Sequence, residues 1–140
     1  MVSEEAHTFS EARRLLIERP ISTPAIFTIA GINPGETAVI ERSEHEAKVR
    51  DGSHVAANHW EAAGWYGHPR GNDSAGRARM MSGIAPELDV RFPWLQSPIL
   101  NSHTRLVMVA DARLGHIVAR GYEATGPATE PLELTWRIAA

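Results

Sequence analysis

Three tight-turn signals cut this chain into short pieces and leave little room for anything but antiparallel hairpins. They are Asn33-Pro34-Gly35, Arg50-Asp51-Gly52-Ser53, and residues 111–115, which read DARLG. Pro and Gly in such clusters preset the backbone for a reversal, and short runs rich in β-branched residues on either side read as paired strands. TPAIFTIAG and TAVIER flank the first turn. Residues 47–49 and 54–57 flank the second, which predicts a hairpin there. Residues 104–110 and 116–119 flank the third. The stretch 131–136 alternates Leu132, Leu134 and Trp136 with polar residues and predicts a final strand.

Helical signals are fewer. Thr8-Phe9-Ser10-Glu11 has capping-box spacing, Ala12, Leu15 and Leu16 follow on one stripe, and Pro20 ends the segment. Asp73 or Ser74 can cap a second helix running to about Ser82. Residues 59–72 carry no period and read as a loop. Residues 85–101 read as a short helix or turn leading into the Pro98 segment. The sum is an α+β fold, mostly antiparallel sheet with two or three helices, in one domain over residues 1–140.

Composition narrows the function classes. The net charge is −3 and no basic run exceeds Arg13-Arg14, which argues against nucleic acid as a partner. There is no cysteine, so disulfides, thiolate metal sites and a cysteine nucleophile within these residues are excluded. The apolar run near residues 25–32 is too short to span a membrane, and MVSEEAHTFS lacks the apolar core of a signal peptide. A cytoplasmic location is the expectation, and no cofactor is expected.

The chemistry-bearing residues gather in HVAANHWEAAGWYGHPRGNDSAGRARMM, residues 54–81. Read as a strand end, this stretch puts Val55 and Ala57 on one side and His54, Ala56 and Asn58 on the other. Asn58 is then last at the mouth of the sheet, where its amide can donate to a developing oxyanion. The plainer reading is that Asn58 ties down the following loop through local backbone bonds.

Arg77 shares a helix face with Met80, Met81 and Ile84, where a charge needs a partner, and Asp73 stands four residues before it. Trp60, Trp65 and Tyr66 either line an acyl pocket or anchor the loop on the core. His45, His54, His59 and His68 crowd one span but match no helical metal-binding spacing, so ordinary loop histidines and no metal are expected. A Ser-His-Asp set built on Ser53 or Ser74 lacks a G-x-S-x-G elbow and is set aside.

In order along the chain, FTIAGINPGETAVIER, HVAANHW, HPRGNDSAGRARMM and SPILNSHTRLVMVADARLGHIVARG resemble segments of the N-terminal-nucleophile (Ntn) amide hydrolases. The similarity is to the C-terminal part of the acid ceramidase and N-acylethanolamine acid amidase group. Choloylglycine hydrolases and penicillin acyltransferases are more distant relatives of that group. The resemblance covers residues from about 22 to 136.

The resemblance implies part of an αββα sandwich and hydrolysis of linear N-acyl amides. It implies that Asn58 helps form the oxyanion hole and that Arg77 organises the site. Acid ceramidase reads Asp-Asp-Arg-Arg, with its Arg two places earlier, where this chain has Ala75. Trp60 fits a family aromatic with no assigned chemical role, and Trp60 and Asp73 are the expected substrate-binding residues.

The family's nucleophilic Cys belongs to an earlier region, before the point matched by Met1, and no residue here replaces it. The isolated chain is therefore expected to be inactive. AIFTIAGI and RLVMVA are nearly continuous apolar runs, as in strands covered on both faces. Alone, the chain is expected to expose sheet edge and apolar surface, and so to self-associate or pair with a separate Cys-bearing chain. Three readings follow: one portion of an Ntn amidase, a non-catalytic homologue that binds ligands or oligomerises, or a gene fragment with no function of its own.

Overall fold

A computed structural model describes residues 2–85 and 87–136, in an α+β arrangement of helices and antiparallel sheets. The chain divides into two compact units, residues 1–75 and 76–140. No helix among the described residues is long and apolar enough to cross a membrane.

In the first unit, a single helical turn, α1 (Val2–Glu5), precedes α2 (Phe9–Glu18). The predicted capping box is present. Glu11 N–H donates to Thr8 Oγ1 at 3.2 Å, and Glu11 Oε2 accepts from Thr8 N–H at 3.1 Å. At the far end, Arg42 donates to the carbonyls of Leu16 and Arg19, placing a cation where the helix dipole is negative. Arg13 forks onto Asp51 at 2.9 and 2.8 Å and ties the helix to the end of the strand that closes at Asp51.

Strands β1 (Ala25–Ala30), β2 (Thr37–Arg42) and β3 (Ala47–Asp51) form a sheet in the order β1-β2-β3. The first turn signal does its predicted work, with Ala30 opposite Thr37 across Asn33-Pro34-Gly35. Gly35 takes φ +83°, a backbone that favours glycine. Central β2 is buried from Ala38 to Arg42.

The second predicted hairpin is not formed. Residues 47–49 turn back onto β2, in register Ile40–Val49 and Arg42–Ala47. The reversal is made by Ser43, whose Oγ accepts from Glu46 N–H at 3.0 Å and whose N–H donates to Glu46 O at 3.0 Å. Gly52 does turn the chain, at φ +97°, but residues 54–56 form no strand. Ala57 makes only an isolated bridge, to His59, and none to residues 47–49. The physical reason is competition. Apolar β2 offers β3 a buried partner, and 54–58 is held by side chains instead. Arg50 Nη2 donates to Val55 O, and Ser74 Oγ accepts from Asn58 N–H. The two-sided alternation of residues 54–58 read from the sequence therefore does not apply.

Helix α3 (Ser74–Ser82) starts where expected. In the second unit, β4 (Leu106–Asp111) pairs with β5 (His116–Glu123), and β5 also pairs with β6 (Gly126–Pro127) and β7 (Leu132–Thr135). Strand β5 runs four residues beyond the predicted 116–119. Phe92, Val107, Val118 and Tyr122 make the core, with Leu88, Val90, Trp94 and Leu100 packed on it. Residues 87–101 form turns and no helix.

Those turns are held by their own polar side chains. Asp89 accepts from Arg91 N–H at 2.8 Å, in the turn that carries Phe92 inward at φ +48°. Asn101 Nδ2 donates to Pro98 O at 3.0 Å, and its Oδ1 accepts from His103 N–H at 2.9 Å. Thr104 Oγ1 accepts from Asn101 N–H and donates to Ile99 O. The P-x-x-N-x-x-T spacing of the sequence is thus a self-contained knot that launches β4.

RLVMVA is covered on one face only. Val107 is buried, whereas Leu106 is 64% exposed and Met108 51%. In register, Met108, Ala119 and Leu132 make one row, and Ala110, Ile117 and Leu134 the next. The face opposite Val107 and Val118 is therefore apolar, with Leu106, Met108, Leu132 and Leu134 exposed on it around buried Ala119.

Candidate functional site

The loop of residues 59–72 is fixed to the first unit by a buried carboxylate. Glu41 on β2 is 1% exposed. Its Oε1 accepts from Glu61 N–H and from Arg50 Nη2, each at 3.1 Å, and its Oε2 accepts from Ala62 N–H at 2.9 Å. A buried carboxylate needs such partners, and here it uses the loop's own backbone donors to satisfy itself.

Aromatic contacts hold the far side. Trp60 meets Trp65 edge to face at 5.0 Å. Lys48 lies over the Trp65 ring, 5.4 Å from its centroid, and donates to Ala63 O. Trp65 Nε1 donates to Glu46 at 3.3 Å. Trp60 thus has the contacts of a loop anchor, while Tyr66 is 91% exposed.

Asn58 is exposed at the mouth of this loop. Both of its backbone groups are bonded. Its N–H donates to Ser74 Oγ at 2.9 Å, and its C=O accepts from Arg70 N–H at 2.8 Å. The second bond clasps the two ends of the loop together.

Ser74 opens α3 and is 2% exposed. Asp73, just before it, is exposed and holds φ +43°, a left-handed backbone that Asp tolerates better than most residues. Arg77, half buried, lies one turn into α3 and belongs to the second unit. Asn58, Trp60 and Asp73 fall in the first unit and Arg77 in the second.

A connection that the sequence reading set aside runs through the same place. His59 Nδ1 lies 2.7 Å from Ser74 Oγ, and His59 Nε2 lies 2.7 Å from Glu61 Oε1. A carboxylate that has lost its proton only accepts, which selects the tautomer with the proton on Nε2. In the neutral ring Nδ1 then accepts from the Ser74 hydroxyl. The signal in the sequence was H-x-E at 59–61 with a serine at a helix start. Its partners are fifteen residues apart along the chain, so spacing alone does not reveal it.

Among the described residues, no group of three or more His, Asp or Glu side chains has the geometry to hold a metal ion. His54 instead bonds its own turn at Asp51 O, 3.0 Å away. Searches with family models, curated proteins and solved structures find no match to this chain.

Proposed function

We propose that this chain contributes the oxyanion side of an Ntn-type amidase acting on linear N-acyl amides. In this reading the cysteine nucleophile comes from polypeptide outside these residues, and the cytoplasm is the proposed compartment. The observation that carries the reading is Asn58: exposed, at a loop mouth, with its N–H and C=O both anchored. An oxyanion donor works only if it is held in place before the charge develops. The sequence order of the four resembling segments supports the same reading, with Asp73 and Trp60 nearest the substrate and Arg77 as the organising cation.

The mechanism asks little of this chain beyond position. A thiolate elsewhere attacks the amide carbonyl, and the Asn58 side-chain amide donates to the oxygen as it gains charge. Intact-mass analysis of the natively purified protein tests this. A co-purifying polypeptide that begins with Cys, together with N-acyl amide turnover, is the expected result. Asn58→Ala is then expected to lower kcat by about 10²–10³-fold, the usual loss of one oxyanion donor. Absence of such a polypeptide, with no turnover, would sink the reading.

A second reading has one observation in its favour. The open apolar face of β4, β5 and β7 suits a non-catalytic homologue that works by association. A stable oligomer of this chain alone would favour it.

A further inference from the structure

Hydrogen bonds run without a break from Glu61 to the main chain of Asn58. His59 Nε2 lies 2.7 Å from Glu61 Oε1 and its Nδ1 2.7 Å from Ser74 Oγ, which accepts from Asn58 N–H; with the ring proton on Nε2, Nδ1 accepts from Oγ. Each link constrains the next. Ser74 has one proton, and handing it to Nδ1 turns the lone pairs of Oγ toward Asn58. Glu61 fixes the tautomer that leaves Nδ1 free to accept. Glu61 is itself pinned, since its N–H is bound by buried Glu41. The chain therefore has a direction as well as a location, and bonds aligned this way polarise one another.

We infer that His59, clamped between Ser74 and Glu61, is a positioning residue for Asn58. Through Ser74 it fixes the main chain from which the proposed oxyanion donor projects. The catalytic part of this inference rests on the amidase reading, whereas the structural part does not. The same three side chains invite comparison with a serine hydrolase relay. Ser74 is 2% exposed, however, and its oxygen already accepts from Asn58 N–H, so it has neither access nor a free attacking face.

The test begins with nitrogen-resolved NMR of the His59 ring and amide hydrogen exchange at Asn58, at a pH above the ordinary histidine range of about 6.5. The expected result is a proton on Nε2, a bare Nδ1 and a protected Asn58 amide. His59→Ala is expected to speed Asn58 exchange about tenfold, the worth of one hydrogen bond. His59→Asn, whose Oδ1 takes roughly the place of Nδ1, is expected to restore most of the protection. In the amidase completed by its Cys-bearing polypeptide, His59→Ala should lower kcat with KM held, and His59→Asn should recover it.

A proton on Nδ1, or Asn58 exchange unmoved by His59→Ala, overturns the inference. So does labelling of Ser74 by a fluorophosphonate, which would make the serine a nucleophile. The tautomer is read on the unaltered chain, so a variant that fails to fold does not block the test. If the amidase reading alone fails, nothing turns over while the exchange pattern persists. If the positioning role alone fails, the parent enzyme turns over and the exchange pattern is absent.

Discussion

At the scale of single residues, polar side chains in the turns decide where apolar ones go. Asp89 is the clearest case. Its hydrogen bonds to the Arg91 side chain and N–H hold its carboxyl down to about 2, from an ordinary 3.8. A depressed carboxyl stabilises the fold above its ordinary value and loses that contribution as pH falls through its folded value. The Asp89 contribution should thus be intact above pH 3.8 and fade as pH drops toward about 2. In Arg91→Gln, an NMR titration of Asp89 should move back toward 3.8.

Asn101 is the second case. Asn101→Ala removes the bonds to Pro98 O and His103 N–H, and should cost about 1–3 kcal/mol as partly buried groups lose partners. A fall in thermal midpoint, with no change in the mass of the oligomer, is the check. Neither role was legible from the sequence. Asp89 and Asn101 stand in a stretch with no period, and side-chain bonds to nearby backbone leave no periodic trace.

At the scale of elements, the capping box, strands β1, β2, β4, β5 and β7 and the start of α3 were readable, because each has a local cause. The hairpin around Arg50-Asp51-Gly52-Ser53 was not. A turn signal says that the chain reverses, and says nothing about which neighbour it then joins. Gly52 makes its turn, but β3 had already paired with β2. Asn58 was read as the last residue of a strand, and that setting was misread. It ends a clasped loop and no strand.

The carboxylate that holds this loop also escaped notice, since one Glu in VIER looks like a solvated strand residue. Glu41→Gln keeps the shape, removes the charge opposite Arg50, and cannot accept the loop's two N–H groups on separate oxygens. It should destabilise the first unit by about 2–3 kcal/mol. Limited proteolysis should then cut within residues 59–72 well before the rest of the chain is attacked.

At the scale of the whole molecule, surface chemistry points outward. Leu106, Met108, Leu132 and Leu134 are each about half exposed on one sheet face, a patch on the order of a few hundred Å², the size at which such patches serve interactions. The expected outcome is association of the purified chain, with itself or with the Cys-bearing polypeptide proposed above. Met108→Glu with Leu134→Glu should shift the mass seen by light scattering toward a single copy. The thermal midpoint should hold, since neither side chain belongs to the core cluster.

One pair of neighbours on β2 does more than fill space. Glu41 and Arg42 are consecutive, so their side chains leave opposite faces of the sheet. Glu41 meets backbone N–H groups on its side, and Arg42 meets backbone carbonyls on the other. A slip of one residue one way would set the Arg42 guanidinium against donors, and a slip the other way would set the Glu41 carboxylate against acceptors. Either slip leaves both charges without their partners where water cannot reach them. Apolar Ala38-Val39-Ile40 tolerates such a slip far better, because one small aliphatic side chain resembles the next. The two charges act as a two-sided key for strand alignment: the buried hydrophobes supply the adhesion, and this dipeptide rejects every frame but one.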